Sequence, residues 1–240
     1  MSTNKGKFLW ITGLSGAGKT TLGEALKNSA HNFQHFNVDI WVFGGNPITE
    51  SHLVPTPDMM KSQDPVVKAA FDQMIAQGFQ ALGKGEAVDF SVWKQFFDLL
   101  IPKLQQFRHE LPANANLVVT FSVYLQSIRQ YLRQELGEDL QFVILNPSVE
   151  DVAMRKVNHL QNTAKARNQT LSQFLRSITP NAPADAPELP EETIVEIFKG
   201  QTRASAAGFE GKQENEVCSI ELGDLSVDQL LTEVLQFLGL

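Results

Sequence analysis

The sequence has little cysteine, no excess of positive charge and no long apolar run. Its 240 residues include a single cysteine, Cys218. No internal disulfide can therefore form, which fits a reducing compartment such as the cytoplasm. The net charge of −7 and the pI of about 5.3 argue against a nucleic-acid partner, because such surfaces are usually basic. Since no run of eighteen apolar residues occurs, we expect no membrane span. The opening residues MSTNKGK are not followed by the apolar region of a signal peptide, so we expect no secretory signal either.

The residue types that bind metals or attack substrates are also sparse. The five histidines are scattered without the spacing of metal ligands, which predicts that the chain has no zinc site. Cys218 lies in the apolar, strand-like stretch EVCSI. We therefore expect a buried structural thiol at this position rather than a nucleophile.

The most specific motif is a phosphate-binding loop, GLSGAGKT, at residues 13–20. An apolar strand at 7–12 precedes it and a helix follows it, which is the context the motif requires. Glycines let backbone N–H groups surround phosphates, Lys19 reaches the β- and γ-phosphates, and the Thr20 hydroxyl ligates Mg²⁺. A glycine-rich turn without a ligand is the alternative. The pattern predicts a nucleoside triphosphate with Mg²⁺, contacted by Gly13, Ser15, Gly16, Ala17, Gly18, Lys19, Thr20 and Thr21.

Apolar strand-like runs alternate with amphipathic segments, which is typical of an α/β protein with a parallel sheet covered on both faces. The C-terminal helix should begin with a capping box formed by Ser226 and Gln229. Proline-rich residues 44–65 and 180–190 are predicted to be irregular loops. The predicted strands are 7–12, 33–38, 117–122, 140–145 and 217–221, and the predicted helices are 19–30, 66–83, 92–110, 125–136, 149–165 and 227–238.

Phosphoryl transfer at such a loop needs a nearby carboxylate, and Asp39 is the candidate. It follows the second predicted strand at the carboxyl edge of the sheet, where ligands of open α/β sheets bind. Asp39 is expected to position or deprotonate an acceptor hydroxyl and to help hold Mg²⁺. An ordinary strand-end aspartate is the alternative. The third predicted strand ends in Ser122 rather than in the usual magnesium aspartate, which disfavours a motor or G-protein function.

Two predicted helices carry basic residues at helical spacing. Arg129 and Arg133 share one face, and Arg155 shares another with His159, next to Lys156. A basic residue that closes over the phosphates neutralises transition-state charge, an effect worth about 10³–10⁵ in rate in other systems. Arg155 is the candidate for this role, whereas a solvated helix face is the alternative for each cluster.

The order of these features resembles gluconate kinase, with shikimate kinase and adenylylsulfate kinase as similar families. The resemblance covers residues 7–160 and the last strand and helix, including the phosphate loop, Asp39, residues 117–122 followed by Arg129, and residues 85–89 (GEAVD). It implies a P-loop nucleotide-kinase-like three-layer α/β/α fold with five parallel strands, Mg-ATP as donor, and a small hydroxylated acceptor. It also implies a lid at 155–170 and an adenine contact at Gly208 and Phe209.

The acceptor side departs from the gluconate kinase pattern. After the Gly-Glu element, where that family has charged residues, this chain has aromatic residues such as Trp93, and Trp41 closely follows Asp39. Most are expected in the core, but any that face the pocket would require an apolar or aromatic acceptor. We assign Trp41, Trp93, Arg129 and Asp39 to the acceptor site.

We expect one domain, residues 1–240, with a substrate-side insertion at about 44–110 and a lid and late insertion at about 155–210. The predicted function is an ATP-dependent kinase for a small-molecule hydroxyl, and we expect an acceptor other than gluconate. A nucleoside or nucleotide kinase and a non-catalytic ATP-binding regulator are the alternatives. The oligomeric state stays open, a homodimer included.

Overall fold

The computed structural model describes residues 6–240 except 54, 55, 57, 85, 87, 88 and 179–187. The predicted loop at 180–190 and the segment 85–89 therefore lie partly outside the described residues. The elements run in the order β1 (Phe8–Gly13), α1 (Lys19–Lys27), β2 (Phe33–Asn37), α2 (Val38–Val42), a 3₁₀ turn (Met59–Ser62), α3 (Pro65–Lys84), α4 (Phe90–Glu110), β3 (Asn116–Thr120), α5 (Gln126–Leu136), β4 (Leu140–Leu145), α6 (Val149–Ala166), α7 (Leu171–Ile178), α8 (Glu191–Ala207), β5 (Ser219–Leu222) and α9 (Val227–Leu238).

The described strands form one parallel sheet in the order β2-β3-β1-β4-β5. Strand β1 is central, pairing Phe8 with both Leu117 of β3 and Leu140 of β4. All six residues of β1 are buried, as expected for a strand covered on both faces. The predicted five-stranded α/β fold is thus confirmed, and the loop after β1 lies at the middle of the sheet's carboxyl edge.

Two apolar cores cover the two faces of the sheet. One contains Leu22 and Leu26 of α1 and Val234 of α9, packed on alternate residues of β1 such as Leu9 and Ile11. The other contains the buried sides of α3, α4 and α5. Helix α4 contributes to it an aromatic stripe at helical spacing, as the sequence pattern predicts. Its buried residues are Val92, Trp93, Phe96, Phe97, Leu100, Ile101 and Leu104.

Several helix ends are set by local hydrogen bonds. The predicted capping box of α9 is confirmed, since Ser226 and Gln229 each accept from the other's backbone N–H. Helix α4 begins two residues earlier than predicted, because the Asp89 side chain caps the N–H of Ser91. Helix α1 is predicted to end at residue 30 but ends at Lys27, and Asn28 forms its C-cap.

The predicted last strand and its cysteine need correction. Strand β5 begins at Ser219, two residues after the predicted start, and Val217 is 86% exposed in the preceding turn. Cys218 is half-buried rather than buried. Two residues of the EVCSI stretch, Val217 and Cys218, therefore belong to a turn rather than to the strand. Glu216, just before this turn, is held by Arg129.

Helices α7 and α8 were not among the predicted helices. The buried face of α8 carries Ile194, Thr202 and Ser205, so two of its buried side chains are polar. This weakens the apolar periodicity on which helix prediction depends. The start signal is nevertheless present, because Glu191 and Glu192 occupy the first turn directly after Pro190.

A buried polar network joins α1 to the sheet. The His35 ring is fully buried, and its Nδ1 lies 2.6 Å from Glu24 Oε1 while its Nε2 lies 2.8 Å from Thr120 Oγ1. Burial lowers the pKa of His35, and hydrogen bonds from Ser51 and His35 outweigh burial to lower the pKa of Glu24. A neutral imidazole therefore donates from Nδ1 to the Glu24 carboxylate and accepts at Nε2 from Thr120.

The ring of His35 lies directly against Gly23 of α1. A Cβ added to Gly23 would approach the His35 ring to 2.6–2.9 Å, and the ring is held from both sides by hydrogen bonds. We expect Gly23→Ala to destabilise the protein by about 1–3 kcal/mol through overpacking, as measured by urea denaturation.

The matched control is Gly200→Ala in α8, where an added Cβ meets no atom within 4 Å. That change should stabilise the protein by about 0.5–1 kcal/mol, since alanine is the better helix former. If Gly23→Ala behaved like Gly200→Ala, the close contact with His35 would be disproved.

Candidate active site

The phosphate-binding loop connects the end of β1 to the start of α1. Gly16 and Gly18 have φ values of +90° and +102°, in the region that favours glycine. A Cβ at Gly16 would also lie 2.9 Å from Cγ of Lys156. Gly18 is the N-cap of α1, and no side chain caps this helix. The backbone N–H groups at its first turn are thus available for an anion.

Lys19 supplies the positive charge of the loop. Its Nζ donates hydrogen bonds to the carbonyl oxygens of Gly13, at 3.2 Å, and Leu14, at 2.9 Å. Burial lowers the pKa of Lys19 to about 8, with the neighbouring Asp39 carboxylate opposing the shift and Lys156 adding to it. A buried ammonium held over a glycine-rich loop fits the triphosphate of a nucleotide, whose negative charge would offset the desolvation.

Asp39 lies in the first turn of α2, directly after β2. The Asn37 side chain accepts from the Asp39 N–H at 3.1 Å and donates to the Ser51 carbonyl at 2.7 Å, which fixes the turn. Burial raises the pKa of the Asp39 carboxyl, and the charge of Lys19 opposes the shift. The carboxylate and the ammonium thus interact at the carboxyl edge of the sheet.

The segment after β3 is hydrogen-bonded along the end of β1. Trp10 Nε1 donates to the Phe121 carbonyl at 3.2 Å, the Val123 N–H donates to Thr12 Oγ1 at 2.7 Å, and Ser122 Oγ donates to the Gly13 carbonyl at 2.8 Å. We call residues 121–123 and their partners on β1 the β1–β3 junction. It places Ser122 beside the phosphate loop, where its hydroxyl binds the backbone.

A cavity of about 230 Å³ opens between the loop and the helical layer. Its polar end is formed by Ser15, Lys19 and Asp39, with Ser122 nearby. The rest is apolar or aromatic. Its lining residues are Phe71, Met74, Ile75 and Gly78 of α3, Trp93 of α4, and Phe121 and Tyr124 after β3.

Sequence reasoning missed the contribution of α3. Phe71, Met74, Ile75 and Gly78 follow the i, i+3, i+4, i+7 spacing of one helix face. The sequence did contain a signal for this cavity wall. One face of the helix carries three large apolar residues followed by a glycine, whose missing side chain leaves space beside them. The aromatic residue Tyr124, whose hydroxyl interacts with Ser205 of α8, was missed as well.

The two predicted tryptophans differ in position. Trp93 is 4% exposed and lines the cavity. Trp41 is half-buried, and its ring centroid lies 6.4 Å from that of Phe96. Trp41 is not among the residues lining the cavity, so the structure does not bring it to the acceptor side.

Helix α6 brings two cations to the phosphate loop. Arg155 Nη1 donates to the Ala17 carbonyl at 3.3 Å, and it would lie 3.9 Å from a Cβ added at Gly18. Lys156 lies beside Gly16 and donates to Thr202 Oγ1 of α8 at 3.4 Å. Burial lowers the pKa of Lys156. Lys156, which sequence reasoning left without a role, is thus as close to the loop as Arg155.

Arg129 does not reach the cavity, which corrects its assignment to the acceptor site. Its side chain is fully buried and bonds both carboxylate oxygens of Glu216, at 2.8 and 2.9 Å. Two further N–H groups donate to the carbonyl oxygens of Glu210 and Gly211 at 2.9 Å. Four charge-assisted bonds make Arg129 the anchor of the loop between α8 and β5.

The residues predicted to contact adenine lie at the start of this anchored loop. Gly208 is the C-cap of α8. Phe209 is half-buried and packs edge-on against Tyr124, with ring centroids 5.6 Å apart. The contact of Gly208 and Phe209 with adenine stays a prediction.

Few side chains are available as metal ligands. In the described ranges, no group of three or more His, Cys, Asp and Glu residues could hold a metal ion. Thr20 and Asp39 fit a hydrated Mg²⁺ whose other ligands are phosphate oxygens, since this ion keeps waters and uses few protein ligands. Of the helices described, none is long and apolar enough to cross a bilayer.

The chain has the P-loop nucleotide-kinase-type fold, a three-layer α/β/α arrangement. A sugar kinase from Janibacter sp. HTCC2649 is similar with a TM-score of 0.53 and 14% identity, over 98% of this chain and 95% of that one. A gluconokinase from Sinorhizobium meliloti 1021 has a TM-score of 0.47 and 13% identity, over 97% and 91% of the two chains.

Shikimate kinase from Acinetobacter baumannii has a TM-score of 0.40 and 14% identity, over 99% of this chain and 95% of that one. No protein-family model matches the sequence, and the search of curated proteins gives no significant match. The structural likeness establishes the fold, so the activity must be argued from the site itself.

The ionisation of Lys19 predicts how nucleotide binding depends on pH. ATP affinity should fall as the pH rises through about 8, by up to tenfold per pH unit, because the free protein loses the Lys19 proton. In Asp39→Asn the fall should begin at lower pH, because the carboxylate that supports the ammonium is gone. Calorimetric titration of ATP at constant ionic strength measures both profiles.

Asp228→Asn in the exposed first turn of α9 is the matched control and should keep the wild-type profile. An ATP affinity that stayed constant from pH 7 to pH 9.5 in the wild-type protein would contradict the assigned role of Lys19.

The buried pair of Arg129 and Glu216 predicts a stability effect. Arg129→Met should lower the free energy of unfolding by about 3–5 kcal/mol, because it leaves Glu216 buried without its partner. Adding Glu216→Gln should recover part of that loss. Arg155→Met, at an exposed position, should change stability by less than about 0.5 kcal/mol. Urea denaturation compares the three; wild-type stability of Arg129→Met would return Arg129 to the list of acceptor-site candidates.

Proposed function

We propose that this chain is an ATP- and Mg²⁺-dependent phosphotransferase that moves the γ-phosphate to a hydroxyl group of a small molecule. One observation carries the proposal: a single cavity is lined by Ser15 and Lys19 of the phosphate loop, by Asp39, and by an apolar wall. A nucleotide on the loop would present its γ-phosphate to the polar end. An acceptor in the apolar part would meet it there.

The reaction divides between the phosphate loop and Asp39. The hydroxyl oxygen of the acceptor attacks the γ-phosphorus, the bond to the β-phosphate bridging oxygen breaks, and ADP leaves. The hydroxyl proton passes to the Asp39 carboxylate, whose pKa is raised by burial and is therefore better matched to a proton acceptor than that of an exposed aspartate. Lys19 compensates the charge of the phosphates from the other side.

Magnesium would be held by the Thr20 hydroxyl, by phosphate oxygens and, through water, by Asp39. Bound there, it would offset negative charge on the phosphates as the phosphoryl group moves. Arg155 and Lys156 add positive charge next to the phosphate loop, Arg155 at Ala17 and Lys156 at Gly16. Both belong to α6 in the predicted lid, so closure of this helix over a nucleotide would bring both charges to the phosphates and exclude water.

A nucleoside or nucleotide acceptor is the second candidate. The Trp93 and Tyr124 rings lie 5.4 Å apart and line the cavity, and such rings can stack on a base. A non-catalytic ATP-binding protein would retain the loop without using the cavity for an acceptor.

The test is acceptor-dependent release of ADP from Mg-ATP across sugars, sugar acids, nucleosides, nucleotides and aromatic alcohols. With the best acceptor, Asp39→Asn should lower kcat by about 10²–10⁴, as expected for loss of a general base. Its ATP affinity near pH 7 should stay within a few-fold of wild type. Asp228→Asn should retain the wild-type rate.

Two outcomes would overturn parts of this proposal. ATP binding without stimulation of ADP release by any acceptor class would favour the non-catalytic protein. A wild-type rate in Asp39→Asn would remove Asp39 from the mechanism while leaving phosphoryl transfer intact.

A further inference from the structure

The indole N–H of Trp93 is an unpaired donor in the interior of the protein. Trp93 is 4% exposed, and its Nε1 is a buried atom with no hydrogen-bond partner. Buried polar groups in folded proteins are almost always hydrogen-bonded, and one that is not requires an explanation. Trp10 provides the contrast, since its equally buried indole N–H donates to the Phe121 carbonyl.

The unpaired edge of the indole borders the cavity. A Cβ added at Gly78 would lie 3.6 Å from both Nε1 and Cζ2 of Trp93, so this edge faces Gly78 across a narrow gap. Gly78 and Trp93 both line the cavity. The N–H therefore lies in the wall of the cavity, on the edge of the indole that faces α3, where Gly78 has no side chain to accept its hydrogen bond.

The chemistry of the walls limits what can occupy the cavity. Away from the phosphate loop, the large lining residues are apolar or aromatic, namely Phe71, Met74, Ile75, Phe121, Trp93 and Tyr124. Among the lining residues that the structure describes, Lys19 alone is a cation, and it belongs to the loop. A sugar acid would leave several hydroxyls and a carboxylate unpaired against these apolar walls.

The size of the cavity sets a second limit. Its volume of about 230 Å³ lies below the range of about 300–1,000 Å³ that is typical of pockets for drug-sized ligands. Flat rings suit such walls, because aromatic side chains contribute large contact areas to planar ligands.

We propose that the acceptor is a small alcohol with a flat, largely apolar body and one hydrogen-bond acceptor that receives the indole N–H of Trp93. The proposal rests on the phosphotransferase function and specifies its acceptor class. The alcohol end of the molecule lies toward Asp39 and Lys19. Trp93 is thereby a specificity-determining residue, and Gly78 is the position that admits the ligand.

The first experiment measures binding without ATP, so that its result does not depend on phosphoryl transfer. Calorimetry compares 2-phenylethanol with the three isomers of pyridylethanol, which have nearly the same shape and add one ring nitrogen. Gluconate and glycerol are the polar controls. We expect the aromatic alcohols to bind and one pyridyl isomer to bind at least fivefold more tightly than 2-phenylethanol.

Two variants then assign the binding to this cavity. Trp93→Phe keeps an aromatic ring but removes the N–H, and it should abolish the advantage of the favoured pyridyl isomer. Gly78→Ala adds a methyl group at ordinary contact distance from the indole, so the fold is expected to be retained. It should weaken binding of the aromatic alcohols at least tenfold while the melting temperature stays equal or rises, as for the control Gly200→Ala.

The outcomes separate the acceptor class from the reaction. Aromatic alcohols that bind in a manner dependent on Gly78 and Trp93 but accept no phosphate would support the acceptor class and refute the phosphotransferase. Failure of every aromatic alcohol to bind at millimolar concentration would overturn the acceptor class. Stronger binding of gluconate, or an unchanged pyridyl preference in Trp93→Phe, would overturn it too.

Discussion

The β1–β3 junction is the constraint on which the site depends. Thr12 exchanges hydrogen bonds with the backbone of Val123, and the Ser122 hydroxyl binds the carbonyl of Gly13, the first residue of the phosphate loop. The same three-residue segment directs Phe121 into the cavity. Phosphate loop and acceptor wall are therefore built on one segment, and hydrogen bonds between buried or part-buried side chains and the backbone fix the distance between them.

Charge is concentrated at one end of an otherwise apolar space. Lys19 and Asp39 both lose hydration on burial, and each carries a pKa displaced in the direction that disfavours its charged form. Their mutual attraction opposes both displacements. In such low-dielectric surroundings a bound triphosphate interacts more strongly with Lys19 than it would at an exposed site. The apolar walls that select the acceptor thus also strengthen the attraction between Lys19 and the phosphates during phosphoryl transfer.

Sequence reasoning was most accurate where local chemistry decides the structure. The phosphate loop, the parallel strands and the capping box of Ser226 each follow from residues close together in the chain. It was least accurate where a side chain's partner is distant in sequence. Arg129 and Arg155 both occupy helices among basic neighbours, but Arg129 is buried against Glu216, 87 residues away, while Arg155 lies at the loop. Helical spacing alone does not distinguish an arginine buried in an ion pair from one that lies at the phosphate loop.

The sequence by itself determined the α/β class, because apolar strand-like runs alternate with amphipathic segments along the chain. It also determined the loop and its lysine, because the motif has a specific spacing between a strand and a helix. It also placed Asp39 after the second strand, at the edge shared with that loop. Only the tertiary structure decided which aromatic residues meet a ligand. Trp41 and Trp93 each have phenylalanine close by in the sequence, yet the packing of α3 against α4 places Trp93 beside Gly78 and leaves Trp41 against Phe96. The physical reason is that a cavity is the space left between packed elements, and that space depends on all their side chains together.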